Sequence, residues 1–168
     1  MPNWCNNYLT IEHEDPEMIK KLAEGANKGE LFATFFPAPE DEDSYSWANE
    51  TWGTKWEATM HEDAIVEDGM VNVSFDTAWG PPIVFYNNMK KLGFNIDATY
   101  HECGMQFAGH YTNEDGDDCY EYDFDNEDWR DDIDDSEVLD MLESEYEYYL
   151  EVKAEEEAEA AAEGENDE

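Results

Sequence analysis

Basic residues are scarce in this chain. Eight Lys and Arg stand against 46 Asp and Glu in 168 residues, a formal net charge of −38. A nucleic-acid backbone is bound by cations that displace its counterions, so this balance excludes direct binding to DNA or RNA. It also disfavours an anionic membrane surface. Long apolar runs are missing too, and nothing approaches the ~18 residues that span a bilayer. The opening stretch MPNWCNNYLT lacks the basic-then-apolar order of a secretory signal. Cysteine is limited to Cys5, Cys103 and Cys119, an odd count with no C-x-x-C spacing. The expectation is reduced thiols in a cytoplasm rather than a disulfide framework. There is no G-x-x-x-x-G-K-[ST] loop for phosphates and no G-x-S-x-G elbow for a nucleophilic serine. These absences predict a cytoplasmic protein that is not an enzyme and carries no cofactor.

Aromatic residues are plentiful at 14%, which separates the chain from acidic disordered sequences that cannot fill a core. The charge is unevenly placed. Residues 1–100 hold 18 acids and 6 bases, whereas residues 101–168 hold 28 acids and only Arg130 and Lys153 as bases. Salt adaptation would spread carboxylates evenly, so it does not account for this concentration by itself.

Alternation in WCNNYLTIE at Trp4 to Glu12 predicts a strand. Asp15 and Pro16 then supply an N-cap and a first helical residue. The apolar stripe Met18, Ile19, Leu22 and Ala23 runs on to a stop at Gly25 to Gly29. LFATFFPAPE, closed by two prolines, predicts an edge strand or a packed extended segment. Residues 40–45 form a polar loop, and the aromatic-rich stretch 47–56 predicts a helical turn broken at Gly53. A hairpin follows, Ala58 to Val66 and Met70 to Trp79, around Asp68-Gly69. The next helix has Phe85, Met89 and Leu92 facing inward and Gly93 as its stop. Strands are predicted at 94–102, 105–113 and 119–124. The order is that of a ferredoxin-like split βαβ antiparallel sheet with extra strands, an α+β fold, followed by a C-terminal helix. Its boundaries are residues 1–125 for the sheet domain, 126–154 for an acidic loop and docked helix, and 155–168 for an acidic, disordered tail. In the helix Leu139, Leu142, Tyr146, Tyr149 and Leu150 form a narrow apolar stripe. Asp134, Asp135 and Glu137 suit its positive N-terminal end.

Four segments, MPNWCNN at 1–7, WGTKWEA at 52–58, FDTAWGPP at 75–82 and YHECGMQFAG at 100–109, together resemble the YubB ferredoxin-like domain family of plasmids, phages and integrated elements. The resemblance covers roughly residues 1–111. It implies the same α+β fold and a mobile-element origin, that of a bacteriophage. The family has no assigned reaction, so no catalytic residue carries over. From Asn113 onward the chain departs from the family.

Trp4, Trp52, Lys55, Trp56 and Trp79 form a candidate aromatic patch, in which the tryptophans either cap one end of the core or line a pocket or docking surface for a ligand or peptide. Lys55 is either paired with a neighbouring carboxylate or an anchor for an anion. His101, Cys103, His110 and Cys5 are residue types that bind zinc, but their spacing matches no zinc signature, and strand packing explains them better. Aligning Gly116 with the sixth position of a calcium loop puts Tyr111 and Tyr122 where carboxylates are needed, so a hairpin turn at Asp115-Gly116 is the better account.

The acidic half is the leading functional candidate. Residues 134–163 contain 13 acids. As a helix they extend about 45 Å, roughly one carboxylate per 3.5 Å, against about 3.4 Å per phosphate along one strand of duplex DNA. The expected function is an acidic protein-binding module, a nucleic-acid mimic that fills a basic groove of a host protein. Its candidate surface is Asp125, Glu127, Asp128, Asp131, Asp132, Asp140, Glu143, Glu147 and Glu151, with Phe124 and Trp129 as apolar anchors. The alternatives are ligand or peptide binding at the Trp-rich end, or a structural protein whose acidic tail only solubilises it.

Overall fold

A computed structural model describes residues 3–40 and 44–165. The elements are β1 (Trp4–Glu12), α1 (Pro16–Asn27), α2 (Ser44–Thr51), β2 (Thr59–Met60), β3 (Ile65–Glu67), β4 (Met70–Ala78), α3 (Ile83–Lys91), β5 (Asn95–Glu102), β6 (Phe107–Thr112), β7 (Gly116–Glu121) and α4 (Ser136–Glu165). The chain divides into two compact units, the first ending at Glu121 and the second starting at Tyr122. The fold is α+β, and the described residues form one seven-stranded antiparallel sheet and four helices, the last C-terminal.

In the first unit the sheet runs β2-β4-β1-β5-β6-β7, and β3 pairs with β4 beside β2. The period-two side-chain pattern of β1 sorts its residues. Cys5, Asn7, Leu9 and Ile11 are buried on one face, while Trp4, Tyr8 and Glu12 are exposed on the other. Leu9 lies opposite Val73 on one side and Ala98 on the other. With Ile19 and Leu22 of α1 and Phe85 and Met89 of α3, these residues build the core. Asp15 caps α1 as predicted, its carboxylate accepting from the Glu17 N–H at 2.9 Å. Gly93 ends α3 with φ +91°, a conformation other residues rarely adopt.

Several predicted elements are corrected. Residues 31–36 are not a strand. Bonds from Thr34 N to Glu30 O and from Phe36 N to Phe32 O, both 3.0 Å, wind them into turns that bury Leu31 and Phe32. The predicted strand 58–66 is two short ones, because the chain leaves the ladder at 61–64, where Ala64 N bonds the Asn27 side chain at 2.7 Å. Leu92 is exposed, since α3 ends one residue before it. β7 starts three residues before its predicted position because the Thr112↔Gly116 pair closes a tight hairpin. Of the predicted polar loop, residues 41–43 lie outside the described residues, and α2 begins at Ser44.

Glu57 secures the turn at 31–36. Its carboxylate accepts from the backbone N–H groups of Phe32 at 2.8 Å, Ala33 at 2.9 Å and Ala58 at 3.0 Å. Burial pushes this carboxyl above the usual range despite the three donors. A carboxyl raised in the folded state holds its proton more readily there than in the unfolded chain. The proton-linked part of its contribution is therefore fully present below the ordinary carboxylate range and is lost as pH rises through the raised value, while the three accepted backbone bonds remain. Glu57→Gln turns one acceptor into a donor facing a backbone N–H. The expected cost is about 1–3 kcal/mol at neutral pH, with a flatter dependence of the urea midpoint on pH through the carboxylate range.

The second unit is built on α4. Asp135 caps it by accepting from Glu137 N at 2.9 Å and Val138 N at 3.0 Å. Val138 and Leu142 are buried, whereas Leu150, predicted as part of the apolar stripe, is exposed. The helix continues without a break into the stretch assigned to a tail, where Glu and Ala, both strong helix formers, alternate. Residues 166–168 lie outside the described residues. Among the described residues no helix is long and apolar enough to cross a membrane.

Candidate functional site

The second unit carries the acidic surface predicted from sequence. Phe124 lies 5.1 Å from Trp129, 5.2 Å from Tyr146 and 5.5 Å from Tyr149 between ring centroids, and these rings fix one side of α4. Phe124 and Trp129 are therefore engaged within the chain, and Trp129 is buried. They are not the exposed anchors expected for a partner. The Arg130 guanidinium lies 4.2 Å from the Trp129 ring centroid and grips Glu143 with two bonds, Nη2 to Oε2 at 2.7 Å. Lys153 bonds Asp125 at 2.7 Å, and Tyr149 donates to the same oxygen at 2.6 Å. The Lys153 bond holds the Asp125 carboxyl below its usual range, and the Arg130 bond does the same to Glu143.

Both bases of residues 101–168 are thus consumed internally. Of the nine acids predicted as a surface, Asp125 and Glu143 hold these cations. Glu127, Asp128, Asp131, Asp132, Asp140, Glu147 and Glu151 are exposed. Asp140, Glu147 and Glu151 share one helix face, opposite Val138, Leu142, Tyr146 and Tyr149, and exposed Glu155 and Glu159 follow at four-residue steps that wind about 40° each around the helix. From Glu147 onward this face offers a carboxylate about every 6 Å.

The predicted aromatic patch is only partly one surface. Trp52 belongs to the core, packed on Phe32 and Trp47, with its indole N–H donating to Phe36 O at 3.0 Å. Trp4, Trp56 and Trp79 are 41%, 43% and 55% exposed. Trp4 and Trp56 meet at 6.1 Å between centroids. Trp79 adopts φ +71° and bonds Asn3 O through its N–H at 2.9 Å. Lys55 is not paired with the neighbouring carboxylate that one reading expected. Its ammonium lies 4.3 Å from the Trp56 ring centroid and 5.7 Å from that of Tyr45, and no carboxylate among the described residues pairs with it.

Sequence reasoning missed a polar row beside this patch. Register aligns Thr59, Asp76, Asn6 and His101 across β2, β4, β1 and β5 on the sheet face opposite α1 and α3. His61 Nε2 lies 2.9 Å from Asp76 Oδ1, Asn6 donates to that same oxygen, and His101 Nε2 lies 3.1 Å from Asn6 Oδ1. Counting outward from Asp68-Gly69 in an unbroken hairpin already sets His61 opposite Asp76, so a signal existed.

The zinc-type residues do not converge. Cys5 is buried on the helix-covered face, His101 lies on the other, and Cys103 is exposed past the end of β5. Burial pushes the Cys5 thiol far up, which leaves it protonated and unreactive. Residues 113–115 form the β6–β7 turn, and Gly116, at φ +79°, opens β7. No protein-family model, curated protein or solved structure matches the chain.

Proposed function

We propose that the chain is an acidic protein-binding module whose C-terminal helix takes the place of a nucleic-acid strand in the basic groove of a DNA- or RNA-binding protein. One observation carries this reading. Arg130 and Lys153 are locked to Glu143 and Asp125, so the face through Asp140, Glu147 and Glu151 presents carboxylates without an intervening cation. The spacing on that face is wider than the ~3.4 Å of one duplex strand, and the neighbouring acids Glu156 and Glu157 raise its charge density.

The first unit is read as a ferredoxin-like scaffold of the YubB type, working in the cytoplasm of a host that carries a phage or related element. Support comes from the path β3-β4-β1-β5, with α1 leading from β1 to the β2–β3 edge and α3 joining β4 to β5. That is the order of a split βαβ unit.

The test is competition. The full chain is titrated into complexes of duplex DNA or RNA with purified bacterial nucleic-acid-binding proteins, beside a variant carrying D140N, E147Q, E151Q, E155Q and E159Q. The expected result is displacement of nucleic acid from at least one protein at low salt, fading as salt rises. At about 0.5 kcal/mol for each exposed charge, the variant should compete roughly 50- to 100-fold less well. A variant that competes as well as the parent chain, or a parent that displaces nothing, overturns the reading.

A further inference from the structure

The half of the outer sheet face formed by β2, β4 and the start of β1 has the makings of a second site. Asp76 sits at its centre. Its Oδ1 accepts from Asn6 and faces His61 Nε2 at 2.9 Å, while no bond reaches Oδ2 among the described residues. The side chain is 23% exposed, so the carboxylate is partly accessible to solvent.

Aromatic surface frames it. Trp4 and Tyr8 flank Asn6 at two-residue steps on the same face of β1, and both are more than 40% exposed. Trp4 lies opposite Ala78, one same-face step from Asp76, and leans on Trp56. This cluster already holds one cation, since the Lys55 ammonium rests on the Trp56 and Tyr45 rings.

The chemistry selects the occupant. An anion would meet the Asp76 carboxylate within a strongly negative chain. A neutral apolar ring would leave that carboxylate desolvated and unpaired. A cation gains from both the carboxylate and the indole faces. A guanidinium suits the layout better than an ammonium, because its flat face stacks on Trp4 while an in-plane N–H donates to Asp76 Oδ2. We infer that this face binds an arginine side chain presented by a basic protein partner. The site requires only a guanidinium, so it can fail while the helical carboxylate face stands, and the reverse.

The probe is acetyl-arginine-amide, titrated into the ¹⁵N-labelled full chain, with acetyl-citrulline-amide as the uncharged analogue of the same shape. Arginine should shift the indole N–H signals of Trp4 and Trp56 and the side-chain amide of Asn6 saturably. Citrulline should bind at least about tenfold more weakly, the scale of one lost charge-assisted bond. Asp76→Asn keeps the shape and should weaken arginine by a similar factor. Trp4→Leu, at an exposed ring, supplies a second variant with the same expected loss should Asp76→Asn disturb the strand. Equal response to citrulline, undiminished binding by both variants, or shifts confined to the signals of α4 would overturn the site.

Discussion

Phe32→Ala is expected to destabilise the first unit by about 3–5 kcal/mol, the range for removing a large ring from a packed interior. Phe32 is fully buried. Its ring lies 4.7 Å from Phe85, 5.6 Å from Trp52 and 6.0 Å from Phe75 between centroids, so it joins α3, the segment after α2 and strand β4. The backbone holding it is fixed by the Glu57 carboxylate. That fixed turn limits how far the surroundings can collapse into the void, which places the loss toward the upper end. A small domain has only about 5–15 kcal/mol in total. Urea unfolding of the full chain, followed by tryptophan fluorescence, should show the midpoint fall sharply while the far-ultraviolet helix signal of α4 persists. An unchanged midpoint would show that the turn at 31–36 is not part of the core.

Gly109→Ala should be the other severe change, at about 3 kcal/mol or more, the upper range for forcing volume into a packed site. A methyl group there would overlap the Tyr100 phenol and stand 2.5 Å from the Asp118 carbonyl. Neither neighbour can yield cheaply. The Tyr100 hydroxyl donates to Asp117 at 2.7 Å and its ring is buried, while the carbonyl belongs to β7. The lesion falls where β5, β6 and β7 pair, so amide exchange should quicken first between Phe107 and Glu121. Wild-type protection in that hairpin would show that Tyr100 has room to turn aside.

Much of the fold was legible because local chemistry and tertiary packing agree. Alternation in β1, the Asp15-Pro16 start of α1 and the Gly93 stop of α3 each state their element within a few residues. The segment at 31–36 was not, because its aromatic and apolar composition resembles a strand and the group that bends it, Glu57, lies about 25 residues on. Trp52 and Trp56 are four residues apart and chemically identical, yet one is core and the other surface. Only the docking of α2 and the following loop separates them. The Asn6–Asp76–His61 constellation needs strand register, which a hairpin count supplies only approximately because the break at residues 61–64 slides Thr59 rather than His61 opposite Asp76. The acidic face of α4 was legible as composition, while the removal of Asp125 and Glu143 from it depends on where two long basic side chains come to rest.

Those two internal clasps have a thermodynamic consequence. With Arg130 and Lys153 spoken for, the exposed acids Asp140, Glu147 and Glu151 draw mobile sodium or potassium from solution. The helix behaves as a short polyelectrolyte wearing a loose ionic cloud. A basic groove that closes on it sheds that cloud along with the groove's own anions, as duplex DNA does. Association would then draw its driving force from the entropy of the freed ions, with little heat exchanged.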